Sequence, residues 1–206
     1  IKILLIIFFI LILGIFYLSI FGIKTNKFNN QITNNILKIN KKINLRLRDV
    51  NYLLNPYDFT VNIKTKNPEI SLQGKSLGIK DIQTTISLKS LINDQFSIDN
   101  LKISTKEIQL NDMISLVRVF QNSPQLFVLD TIIEDGFVVV NLNLNFDKSG
   151  HVKEDYIIEG SVKKAKLNIL NQYNLQNFNL NFSVNKSAYL LKQIDMKINN
   201  VRIISP

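Results

Sequence analysis

Few residues in this chain could break bonds, and their spacing does not gather them. The one histidine, His151, stands beside Ser149-Gly150, turn residues where an imidazole is solvated. There is no cysteine, so a thiol nucleophile is lacking and a zinc site would need an unusual ligand set. Acidic pairs occur at Glu134-Asp135 and Glu154-Asp155, each in or near a predicted turn, where solubility accounts for them. Gly74 and Gly78 lie four apart after an extended segment, but no phosphate-binding helix follows and the Gly-Lys-Ser/Thr ending is missing. No nucleophile has a plausible base, so the expectation is a protein that is not an enzyme and uses no cofactor or metal.

What the residue types can do is bury apolar surface, and the period of two that places them belongs to strands. Val138, Val140, Leu142, Leu144 and Phe146 alternate with Val139, Asn141, Asn143 and Asn145. Asp147-Lys148-Ser149-Gly150 makes a turn, and the chain returns through Tyr156, Ile158 and Val162. Phe178, Leu180, Phe182 and Val184 repeat the device between Asn177, Asn179, Asn181 and Ser183; Ile194, Met196 and Ile198 begin a third instance, with Val201 and Ile203 beyond.

Earlier in the chain, Ile43, Leu45 and Leu47 alternate until the pattern slips near Asp49, and Asn55-Pro56-Tyr57-Asp58 supplies a turn before Phe59, Val61, Ile63 and Thr65. This predicts a hairpin with a bulge. Ile70 and Leu72 read as extended chain, Leu77 to Leu88 as a strand and Lys89 to Asp94 as a turn. A further strand carries Phe96, Ile98, Leu101 and Ile103, broken at Asp99-Asn100, and Ile108 and Leu110 form a short one.

Each strand has one face for water and one for something apolar. Helices to cover that face are scarce. Asn111 to Asn122, with Met113, Leu116, Val117 and Phe120 as its stripe, reads as the one helix inside the body, capped by Asn111 or Asp112 and stopped by Ser123-Pro124. From Thr25 to Lys42, Phe28, Ile32, Ile36, Ile39 and Ile43 recur on one face of a helix that could cap the sheet or lie on a membrane. The sheet must therefore fold on itself, meet a second sheet, or hold a ligand.

The first stretch sets the location. Ile3 to Ile23 carry no charge, and at ~1.5 Å per residue they give roughly 31 Å of helix, about one bilayer core. The stretch exceeds a signal peptide's apolar region and offers no small-residue cleavage site, so it reads as an uncleaved anchor. Residues 1 to 48 hold eight of the chain's 25 basic residues and no acid, and the remainder is nearly balanced. The formal +9 is thus juxtamembrane rather than a nucleic-acid face, and Lys24, Lys27, Lys38, Lys41 and Lys42 are candidate contacts to anionic phospholipid head groups. The chain starts without Met and stops inside a strand-like pattern, which predicts a fragment of something longer.

The run from Ile86 to Ile103, with its Ile98-Asp99-Asn100-Leu101-Lys102-Ile103, followed by Glu107-Ile108-Gln109-Leu110, resembles the N-terminal region of the AsmA-like (TamB-like) superfamily. Asn67-Pro68-Glu69-Ile70-Ser71-Leu72 and Tyr156 to Val162 share the likeness, which spans roughly residues 3 to 165 and weakens after Ala165. The resemblance implies a protein held in the inner membrane of a Gram-negative cell. Its periplasmic body would be a long, twisted antiparallel-type sheet folded as a gutter-like groove, carrying phospholipid toward the outer membrane and a distal outer-membrane or periplasmic partner.

The expected fold is mainly β with few helices: anchor 1–24, amphipathic helix 25–42 and groove domain 43–206. Phe59, Val61, Ile63, Ile98, Val140, Leu142, Leu144, Phe146, Phe178, Leu180, Phe182 and Val184 are the candidate groove lining. The alternative is a membrane-anchored structural module whose apolar faces pack as a closed sandwich. Sidedness is argued two ways. Basic residues after the anchor favour a cytoplasmic body, whereas the resemblance places it in the periplasm and outweighs them, because long domains translocate largely regardless of charge.

Overall fold

The computed structural model describes residues 2–27, 29–30, 33, 43–48, 50–72, 75–93, 97–120, 123–199 and 201–205. Phe28, Ile32, Ile36, Ile39, Lys38, Lys41, Lys42, Asp49, Gly74, Asp94, Phe96 and Asn122 lie outside the described residues. The chain begins with α1 (Lys2–Ile20), a 19-residue helix with no buried residue, long and apolar enough to cross a membrane. It ends three residues before the apolar run does. Gly22, at φ +65°, turns the chain out of the helix, and Ile23–Thr25 becomes β1 instead of more helix.

The body is one antiparallel sheet. Its strands are β2 (Ile43–Arg46), β3 (Val50–Asn55), β4 (Thr60–Lys66), β5 (Glu69–Leu72), β6 (Lys75–Ser87), β7 (Ile98–Thr105), β8 (Ile108–Gln109), β9 (Ile133–Asn145), β10 (Ile157–Ile169), β11 (Tyr173–Val184), β12 (Tyr189–Ile198) and β13 (Val201–Ser205). The order runs β1-β3-β4-β6-β7-β9-β10-β11-β12-β13; β2 pairs with β5, β5 with β6, and β8 with β9. The long strands β6 and β9 each serve two partners in tandem. β4 and β5 follow one another along β6 across Asn67-Pro68, and β7 and β8 follow one another along β9 across Lys106-Glu107.

Three expectations are corrected. The hairpin predicted about Asn55-Pro56-Tyr57-Asp58 forms as β3 with β4 (Tyr52 opposite Ile63), but its first strand does not reach back to Ile43, because β2 pairs with β5 (Leu45 opposite Ile70). Between Arg46 and Val50 the chain changes partner. Ser123-Pro124 stops one helix and starts another: α3 (Leu110–Phe120) is followed by α4 (Pro124–Ile132), whose first turn Ser123 caps by accepting from the Leu126 amide. Proline at the first helical position loses only a donor that would be unpaired anyway. Leu88 begins a short helix, α2 (Leu88–Ile92), where the strand was expected to end and a turn to follow.

The described core is small. Leu77, Ile108 and Val138 form one buried cluster, and Ile114, Ile133, Ala165 and Leu167 another. Leu110 of α3 packs against both, and Met113 and Leu116 against the first, so α3 lies on the apolar face where β8, β9 and β10 meet. The 25–42 segment is helical at Asn29, Asn30 and Thr33. There Asn29 donates to the Leu47 and Arg48 carbonyls and Thr33 to that of Leu45, so this part rests on the body.

A line of irregularities crosses the later strands. Lys164 in β10, Asn177 in β11 and Gln193 in β12 have φ near +50°, each where the register shifts. The Lys164 amide donates to Asn179 Oδ1, and Asn181 Nδ2 donates to Gln193 Oε1, so neighbouring bulges are tied together. Aligned bulges raise the local twist along one line of the sheet.

Candidate functional site: an apolar sheet face

Residues directly opposite in an antiparallel ladder point to the same face, so the register maps the face without appeal to shape. Starting from Leu142, the row runs through Ile103, Ile82, Thr65 and Val50 to Thr25 in one direction, and through Ile158 and Val184 to Tyr189 in the other. Neighbouring rows repeat it: Leu144 stands opposite Leu101, and Gly160 stands between Val140 and Phe182.

The sequence-predicted residues fall on this map as follows. Val61 and Ile63 stand opposite Ile86 and Thr84 on β6, and Ile98 stands opposite Ile86 from the other side. Val140, Leu142 and Leu144 on β9 share the face with Phe178, Leu180, Phe182 and Val184 on β11 across Ala165, Val162, Gly160 and Ile158 of β10. Phe146 forms an isolated bridge to Val152 just past β9. Phe59 is the exception, sitting in the β3–β4 turn at φ +54° and half exposed, off the ladder. Sequence reasoning left Tyr52, Ile82, Ile103 and Ile158 off its candidate lining, although each carried the same period-two signal.

Among the described residues this face is buried in two places, under α3 and around Val50 and Thr65, which are 1% and 5% exposed. Val138 is 4% exposed under α3, whereas Ile103, Leu142, Leu144, Ile158 and Val184 are half-buried. Towards the β12–β13 edge, Tyr189, Leu191 and Val201 are exposed. The face carries threonines, and two of their hydroxyls are engaged by the backbone. Thr84 donates to the Asn100 carbonyl, and Thr105 accepts from the Val140 amide.

The opposite face is polar and internally bonded. Asn100 Nδ2 donates to Asn143 Oδ1 at 2.8 Å and Asn145 Oδ1 at 2.6 Å, Thr85 donates to Asn62, and Asn145 donates to Asp155. Glu134 and Asp135, expected near a turn, lie in β9, where Glu134 accepts from Asn168. Glu154 sits in a turn as expected and pairs with Lys186. His151 is a solvated turn side chain, 82% exposed; its backbone amide donates to Asp147, which holds that carboxyl below the usual carboxylate range.

Near the end of α1, Lys24 stands opposite Asn51, which stands opposite Lys64, so two cations share the polar face. With Arg48 and Lys66 they line a basic depression. Arg48 is engaged there by Glu69 at 2.9 Å, an ion pair that lowers the glutamate's pKa. Lys27 is exposed nearby. Sequence reasoning missed Lys64 and Lys66 because only strand pairing brings them beside Lys24. Between α1 and the first hairpin lies an apolar cleft of roughly 470 Å³, with Ile12, Phe16 and Ile20 on one wall and Leu53, Pro56 and Tyr57 on the other.

Comparison with protein-family models, with curated proteins and with solved structures gives no match to this chain.

Proposed function

We propose that this protein is a membrane-anchored lipid carrier of the AsmA-like type, held in the inner membrane of a Gram-negative cell by α1. In this reading the periplasmic body conducts phospholipid along its apolar face toward the outer membrane and a distal partner there or in the periplasm. The observation that carries it is a single apolar face running across the sheet from β1 to β13, whose middle, at Ile103, Leu142, Ile158 and Val184, stays half-buried between the buried parts at Val50 and Thr65 and under α3. Acyl chains suit such a surface: each CH₂ withdrawn from water is worth ~0.8 kcal/mol, and no directional contact is needed. The reading assigns the chain no catalytic group and no cofactor.

Lys24 and Lys27, with Lys64 beside them, supply the charge that meets anionic head groups where α1 leaves the bilayer.

The test is a photo-crosslinking amino acid placed in the full chain in cells. At Leu142 or Phe182 it captures phospholipid, and at Asn143 or Asn181, on the polar face, it does not. Equal capture at all four positions, or none at the apolar pair, defeats the reading in favour of a structural module.

A further inference from the structure

We propose that the tip of the β3–β4 hairpin and the adjoining helix α2 form a second membrane contact, seated in the interfacial layer of the leaflet from which α1 emerges. This rests on the reading of α1 as a membrane-crossing helix. The geometry begins at Gly22, where an added Cβ would lie 2.5 Å from the Tyr52 carbonyl oxygen, so α1 passes into β1 directly against β3. Because β3 runs antiparallel to β1, with Ile23 opposite Tyr52, the chain beyond Tyr52 travels back along α1. The cleft walls bear this out: Pro56 and Tyr57 share it with Ile12 and Phe16. Ile12 precedes Ile20 by about 12 Å of helix, comparable to the ~5–10 Å depth at which interfacial elements sit.

What that tip presents is apolar. Tyr57 is 98% exposed, Phe59 50% and Ile92 of α2 71%. The Leu88 amide donates to the Phe59 carbonyl at 3.0 Å, which makes hairpin tip and α2 one surface. A single exposed apolar side chain needs no explanation, but three on one linked surface beside a bilayer-length helix do.

Other connections at the same end of the sheet serve as an internal comparison. Thr60 is opposite Ser87, Asn100 opposite Asn145 and Val184 opposite Tyr189, so the loops after β9 and β11 share that end but lie farther from α1. The turn after β11 is Asn185-Lys186-Ser187, and the loop after β9 carries Asp147, Lys148, Lys153 and Glu154. Val152, 47% exposed in the loop after β9, and Tyr189, 81% exposed just past the turn after β11, show that apolar exposure occurs along this end; what sets the tip apart is that Tyr57, Phe59 and Ile92 share one linked surface beside α1.

The tip's polar groups set its depth. Tyrosine prefers the membrane–water boundary, where its ring is buried and its hydroxyl stays wet. Asp58, which accepts from Asn55 Nδ2 at 2.7 Å, keeps the tip from the bilayer centre, and exposed Lys89 of α2 is placed for head groups.

The chain has no tryptophan, so one introduced residue reports without background. The full chain is reconstituted in phosphatidylcholine–phosphatidylglycerol vesicles with single tryptophans at Ile12, Tyr57, Phe59 or Leu170, and quenching by lipids brominated at shallow or deep acyl positions is compared. Leu170, 80% exposed in the β10–β11 turn at the opposite end, is the control. The expected result is blue-shifted emission at 57 and 59 with stronger quenching by shallow bromines, quenching at 12, and none at 170. Quenching at 12 with the tip tryptophans emitting like the one at 170 overturns this inference while leaving the anchor in place. No quenching at 12 removes the anchor, and the second contact with it.

Discussion

Gly160 is fixed by what lies across the strands from it. A Cβ there would fall 2.5 Å from the Phe182 Cζ and closer still to the Val139 carbonyl oxygen, and a backbone oxygen cannot move aside without breaking the ladder. Phe182 itself packs against the Leu77–Ile108–Val138 cluster, so its ring is not free to swing away. Gly160→Ala is therefore expected to cost about 1–3 kcal/mol, the usual range for overpacking. Gly14→Ala, with nothing within 4 Å of the added carbon, is expected to cost nothing measurable; chemical denaturation in detergent compares them. A glycine inside a strand already signals a close approach. The identity of the approaching ring was not legible, because Phe182 reaches Gly160 only through the β10–β11 register. The asparagines were half legible in the same way. Their alternation marks the polar face, but that Asn100 bonds across to Asn143 and Asn145 depends on which strands are neighbours.

At the scale of elements, period survives where partnership does not. Long alternating runs such as 138–146 and 178–184 became β9 and β11, because a half-buried strand needs that alternation whichever strand lies beside it. Residues 43–47 alternate just as well, yet β2 joins β5 rather than β4, since nothing in a four-residue alternation names its partner. The same dipeptide that predicts a stop also signals α4: the residue before proline avoids helical backbone, which leaves Ser123 extended, and there serine caps while proline fits the first turn. Ser123→Ala is expected to destabilise by about 0.5–1 kcal/mol, in the lower part of the range for caps, since the hydroxyl accepts from Leu126 at 3.4 Å. The loss is expected as faster amide exchange in the first turn of α4, with β9 to β11 unchanged. The salt bridge from Arg118 to Asp130, which ties α4 to α3, keeps the helix docked in that variant.

For the whole molecule, the decisive contrast lies on one strand. Val138 and Leu142 occupy the same face of β9 four residues apart, but Val138 is 4% exposed in a cluster closed by α3, and Leu142 is half-buried where α3 does not reach. A lysine at 138 has no route for its amine to water, and an uncompensated charge in a dry cluster costs several kcal/mol, a large part of a domain's net stability. At 142 the same side chain can lay its methylenes along the sheet and lift its amine into the open part of the face. Val138→Lys is therefore expected to prevent accumulation of folded protein. Leu142→Lys is expected to accumulate at wild-type level with an unchanged circular dichroism spectrum, while phospholipid capture by a crosslinker at Phe182 falls severalfold, because a hydrated ammonium sits in the acyl path. If both variants fail to fold, residue 142 belongs to a close-packed interior and the face is a core rather than a conduit. If Leu142→Lys folds and lipid capture is undiminished, acyl chains do not pass over β9.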